Sequence, residues 1–297
     1  MADHFATRAR ELTHQCPDNN KERHMRLSSF VKTAAVCLAG VTIGFSSVHA
    51  DQLADIKASG KIHFATEMLY PPFDMLVNGK YEGFCRDLAD LVTGELGVKP
   101  EYQDLPWTAV LPGLEAGKFD MTNAPVTITH ERMERYTFTL PISDATVGLV
   151  KRTGDETIKT PDDIAGKTIA AQKGSAELDE LKIFAANFEG VTVKEYASTE
   201  DAYADLAAGR IDAVANGAPL GAFAASKRPE LFSTVSPPFG EKSYYAWAAR
   251  KGEQSAALVT EINAILIKLQ DDGRLGEVQK KWFGQAIELP KTFPEVK

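Results

Sequence analysis

Along this chain, short runs with strand-like alternation give way again and again to longer runs in which apolar side chains return every three or four residues. Residues Lys61–Thr66 read as a strand. Apolar Phe84, Leu88, Leu91, Val92 and Leu96 then share one face of a helix over Phe84–Leu96. Gly97 stops that helix at the position where a left-handed residue is favoured. Residues 98–103 resume as a strand, 107–116 form a helix stopped by Gly117, and strands are expected around 119–122, 136–139 and 146–151. After a turn-rich stretch at 152–166 the cycle repeats. Strands fall at 168–171, 191–195 and 211–214, and helices at 176–186, 200–208 and 220–227. Residues 244–250 read as a late strand, followed by helices at 255–270 and 275–282.

This rhythm predicts an α/β protein of two lobes. Two phrases suggest that the lobes share one architecture. Leu114-Glu115-Ala116-Gly117-Lys118-Phe119-Asp120 and Leu206-Ala207-Ala208-Gly209-Arg210-Ile211-Asp212 each read as helix, glycine stop, basic residue, strand and aspartate.

Residues 1–50 stand outside the cycle. Arg26 and Lys32 precede an apolar run of about a dozen residues at 33–45, and Val48-His49-Ala50 is a small-x-small cleavage site, so 25–50 read as a signal peptide behind an upstream extension at 1–24, with either Met25 as the true start or an unusually long leader. The run is shorter than the roughly 20 residues a membrane span needs. These first 50 residues hold six of the 33 basic and four of the 41 acidic side chains, which leaves a net charge of −10 on the rest. That balance argues against nucleic acid or an anionic membrane as partner. Only Cys85 remains after cleavage, so no intrachain disulfide is expected. Of the six histidines only His63 and His130 lie beyond the leader, too few for a His-rich zinc site, and no cofactor is expected. Gly166-Lys167-Thr168 has the end of a phosphate loop, but Pro161 stands where its first glycine is needed.

The chemistry concentrates in Ala124-Pro125-Val126-Thr127-Ile128-Thr129-His130-Glu131-Arg132. It sets an arginine at the start of a helix beside hydroxyls and free N–H groups. A guanidinium matches a carboxylate through two parallel hydrogen bonds, and a helix start adds unpaired donors. Gln172-Lys173-Gly174-Ser175-Ala176 is a second candidate anion cradle, so a cleft that closes on a small carboxylate is expected.

Taken in order, several motifs resemble the bacterial periplasmic solute-binding proteins of family 3, which feed polar amino-acid ABC transporters. They are Tyr81-Glu82-Gly83-Phe84, Trp107 with Leu111-Pro112-Gly113-Leu114, Gly117-Lys118-Phe119-Asp120, Thr127 through Arg132, Gly209-Arg210-Ile211-Asp212-Ala213 and Lys280-Lys281-Trp282-Phe283-Gly284. The resemblance implies a type II two-lobed periplasmic-binding-protein fold with two crossover hinge strands, near 145–148 and 241–244. Lobe 1 would then comprise 51–147 plus 241–297, and lobe 2 148–240. It implies a non-catalytic, monomeric periplasmic receptor that closes on an amino acid or related carboxylate and delivers it to an inner-membrane permease. Some relatives on this scaffold are prephenate or arogenate dehydratases, for which Glu67 or Glu177 is a conceivable acid.

By the same resemblance, Arg132 binds the ligand carboxylate, supported by Thr127 and by the carbonyl of Pro125. Tyr70 and Trp107 wall the ligand, Glu67 meets a side-chain amine or amide, and Gly174, Ser175 and Ala176 donate N–H groups from lobe 2. One departure stands out. Where the family has an aspartate for the ligand's ammonium, this chain has Gly217, after Asn216. Either Glu67 or another acid takes its place, or the ligand is an N-substituted amino acid, an opine-like conjugate, a betaine or an organic acid. For a quaternary nitrogen, Tyr70 and Trp107 could supply cation–π attraction.

Overall fold

Two five-stranded sheets organise the computed structural model, which describes residues 51–296; the leader read at 25–50 lies outside the described residues. In sheet one the strands lie in the order Lys99–Asp104, Lys61–Thr66, Met121–Thr122, Ala248–Arg250, Tyr136–Phe138. Sheet two has the order Thr192–Tyr196, Thr168–Gln172, Ala213–Gly217, Val147–Arg152, Phe232–Val235. Each sheet has three parallel strands followed by a fourth that runs antiparallel to both its neighbours. Both faces of each sheet carry a buried apolar cluster, as a parallel sheet covered by helices requires.

The repeated phrase has one physical meaning in both lobes. The Asp120 carboxylate accepts from the His63 N–H at 2.8 Å while the Asp120 N–H donates to the His63 carbonyl at 2.9 Å. Asp212 and Thr168 exchange the same two bonds, both at 2.8 Å. In each sheet the aspartate therefore pins the start of the middle strand to its neighbour.

The late strand divides. Tyr244–Ala246 pairs with Val126–Thr127 and Ser143–Asp144 in a separate three-stranded sheet, and Ala248–Arg250 enters sheet one. Between them Trp247 is fully buried and its indole donates to the Asn123 carbonyl at 3.0 Å, so the chain changes partner at that residue. The Ala145 N–H donates to the Ser243 carbonyl at 2.9 Å, which sets the two crossover segments side by side. A helix at Gln52–Ser59, a hairpin of Leu69–Tyr70, Asp74–Val77 and Lys80–Glu82, and the edge strand Phe232–Val235 add to the expected elements. The hairpin turns at Asn78-Gly79, both with positive φ, the signature of a two-residue turn matched to strand twist.

Candidate functional site

Thr129 begins the Arg132 half-site. Its hydroxyl accepts from the Arg132 N–H at 3.2 Å and caps the short helix His130–Arg135, which fixes where the arginine leaves the backbone. The guanidinium donates to the Thr127 carbonyl at 3.1 Å and to the Gly174 carbonyl at 3.3 Å. Its central carbon lies 5.5 Å from the centre of the Trp107 ring. Two carbonyls occupy two of five N–H donors, so the fork is oriented without being exhausted. Burial lowers its pKa, an effect that the negative charges of Glu177 and Asp179 oppose; a guanidinium keeps its charge regardless.

Arg132 lines a narrow cavity: its empty space, open mouth included, is about 290 Å³, of which about 10 Å³ can hold the centre of a water. Glu67, Tyr70, Trp107, Pro125, Thr127 and Ser175 line it too, so seven of the eleven expected residues come together there. The walls meet through direct bonds. The Trp107 indole donates to the Gly174 carbonyl at 3.0 Å, and the Gln172 amide donates to Glu67 at 2.7 Å. Burial pushes the Glu67 carboxyl up to about 7, against the lowering effect of the Gln172 amide and the Trp107 N–H.

Four expected residues lie outside that lining, and a fifth, Ser175, lines it in a different role. Gly174 turns its carbonyl toward the Trp107 indole and Arg132, accepting from both. Ala176 lines a neighbouring chamber instead. Ser175 spends its hydroxyl as the N-cap of the helix Ala176–Ala185, accepting from the Leu178 N–H at 3.1 Å. Asn216 accepts from the Tyr70 hydroxyl at 3.1 Å and from the Gly217 N–H at 2.8 Å, and neither Asn216 nor Gly217 lines the cavity. A β-carbon at Gly217 would overlap the Tyr245 hydroxyl oxygen and lie 3.0 Å from two ring carbons. The space of a side chain at 217 is filled by Tyr245.

Ala124, Gln172, Glu177 and Tyr245 complete the lining, and sequence reasoning gave Tyr245 no role. Tyr245 and Thr127 are cross-strand partners, so their side chains stand on one face. Both hydroxyls reach the same oxygen, Glu177 Oε1, at 2.8 Å from Tyr245 and 3.0 Å from Thr127. Burial, reinforced by the Glu177 charge, raises the Tyr70 and Tyr245 phenols well above the ordinary value, so both remain donors.

Residues 62–285 match the family described as "Bacterial extracellular solute-binding proteins, family 3". The chain belongs to this family. It is 29% identical over 270 residues to the L-cystine-binding protein TcyJ of Escherichia coli (strain K12), covering 90% of this chain and 99% of that one. It is 30% identical over 250 residues to a probable amino-acid ABC transporter-binding protein of Haemophilus influenzae, covering 82% and 94%. Among solved structures it is similar to the ancestral amino acid-binding protein AncCDT-1, described as a precursor of cyclohexadienyl dehydratase, with a TM-score of 0.71 and 28% identity over 78% of this chain and 99% of that one. The fold is thus the type II periplasmic-binding-protein fold of this solute-binding family, and the expected family and fold class hold.

Proposed function

We propose that this solute-binding protein is the amino-acid receptor of an ABC importer. On this reading it closes lobe 1 (51–147 and 241–297) against lobe 2 (148–240) around the ligand. Arg132 takes the ligand carboxylate, Tyr70 and Trp107 wall the ligand, and Glu67 meets a polar side chain. The observation that carries this is the Arg132 fork, oriented by carbonyls from both walls and still facing the cavity. The names of the relatives agree with an amino acid and an ABC transporter. The leader read at 25–50 supports export to the periplasm, and a monomer delivering to an inner-membrane permease completes the reading. Closure is a hinge motion, and contacts on both walls let a ligand shift the open–closed population.

The test is thermal unfolding of the ligand-stripped protein against amino acids, opines, betaines and organic acids, repeated with Arg132→Ala. Ligand at about 1,000 times its dissociation constant adds roughly 4 kcal/mol. A shift with an amino acid in the wild type, absent in the variant, is expected; equal shifts in both proteins would overturn the assignment.

One observation favours an enzyme on the same scaffold: a buried carboxyl at about 7, Glu67, inside the cavity, which suits a general acid. Release of phenylpyruvate from prephenate, lost in Glu67→Gln, would replace the receptor reading.

A further inference from the structure

Gly217 removes an acid from the end of the strand Ala213–Gly217, yet the cavity holds a second carboxylate. Glu177 is 3% exposed and sits in the first turn of the helix Ala176–Ala185. Tyr245 and Thr127 both donate to its Oε1, and neither bond uses Oε2. Among the described residues no ion pair joins Glu177 to Arg132, although both line the same cavity. The two opposite charges act on one another across the cavity without a direct ion pair, so a group placed between them meets both. A zwitterion fits that field in one orientation only: carboxylate on Arg132, ammonium on Glu177.

We propose that Glu177 is the acceptor of the ligand's α-ammonium, and so the residue that makes this site select free α-amino acids over their des-amino counterparts. The assignment rests on the receptor reading above. Glu67 is the competing acid. Its carboxyl is already held by the Gln172 amide at 2.7 Å and is pushed up to about 7 by burial, so it carries a full charge only above neutrality. The two hydroxyls at Glu177 come from a cross-strand pair on the opposite wall, so closing the cleft is what holds its Oε1 in place. The Tyr245 ring fills the space beside Gly217, so the displaced acid and the tyrosine form one arrangement.

The experiment uses the purified protein freed of bound solute. Calorimetric titration with the common L-amino acids and L-cystine finds the one bound most tightly, and its des-amino acid is titrated beside it. The wild type should prefer the amino acid by at least about 100-fold, close to the two factors of ten that about 3 kcal/mol represents. Glu177→Gln should cut that preference to about tenfold or less while the des-amino acid binds as before, and Glu177→Asp should restore part of it. Glu67→Gln should weaken the amino acid and its des-amino counterpart alike, leaving the ratio between them unchanged. A preference unchanged in Glu177→Gln, or lost in Glu67→Gln instead, would overturn the assignment and leave the receptor reading standing. If no amino acid binds the wild type at all, the receptor reading itself falls and this assignment with it.

Discussion

Glu67 and Gln172 occupy matching places in the two lobes. Each lies four residues beyond the position, His63 or Thr168, that an aspartate pins at the start of a parallel strand. Both therefore emerge where parallel strands end, the place at which α/β sheets bind ligands, and they meet as a 2.7 Å hydrogen bond across the cavity. Sheet one offers an acid there and sheet two an amide. The surroundings diverge in the same way. Beside Glu67 stand long side chains, Tyr70, Trp107 and Arg132; beside Gln172 stand a glycine carbonyl, a serine used as a helix cap and Glu177. One architecture used twice thus gives a wall that grips through a guanidinium and aromatic rings, and a wall that answers with backbone and a second acid.

The largest way to break this division is Arg132→Ala. Truncating one partner of a buried, hydrogen-bonded charge pair costs about 2–5 kcal/mol, so affinity should fall by roughly 30-fold or more. Calorimetric titration measures it, and far-ultraviolet circular dichroism should show the fold unchanged.

Next comes pH. The Glu67 carboxyl sits at about 7 in the folded protein against an ordinary value of 4.5, because burial disfavours its charge. Between those values the folded state holds a proton that the unfolded state has lost. Its contribution is therefore fully present below about 4.5 and falls as pH rises through about 7, by roughly 3 kcal/mol at about 1.4 kcal/mol per pH unit. Asp74, raised to about 8 by burial, acts in the same direction. Urea unfolding of the ligand-free protein from pH 4 to 8 should show the decline, and Glu67→Gln should lessen its slope below 7, leaving the Asp74 part.

Smaller effects sharpen the comparison. Gly217→Ala drives a β-carbon into the Tyr245 ring, and overpacking of this kind costs about 1–3 kcal/mol. A lowered urea midpoint is the expected readout. The same overlap means that Gly217→Asp should not raise affinity for α-amino acids, contrary to what the motif comparison by itself suggests. Gln172→Glu would set two carboxyls across the cavity. Affinity should then drop about tenfold, the equivalent of about 1.4 kcal/mol, at pH 8, and less at pH 5, where a shared proton relieves the repulsion.

Much of the site was legible because it is local. An arginine three residues beyond a threonine cap, a glycine-serine pair before a helix and aromatic residues after strands are all set by neighbours in the chain. The Asn78-Gly79 hairpin turn is equally local. Tyr245 was not legible. Its role depends on register with Thr127, 118 positions away, and on a glycine in a third segment whose missing side chain makes room for its ring. The 244–250 stretch shows the same limit: its alternation marks it as extended, but only the packing of Trp247 splits it between two sheets.

By itself, then, the sequence determined the α/β class, the doubled architecture, the helix stops and the arginine half-site, because hydrophobic period, capping and glycine conformation act over a few residues. Which acid faces the arginine was decided only by the tertiary structure. Charges and hydroxyls converge across a cavity through contacts between segments remote in the chain, and no short-range pattern records their distances.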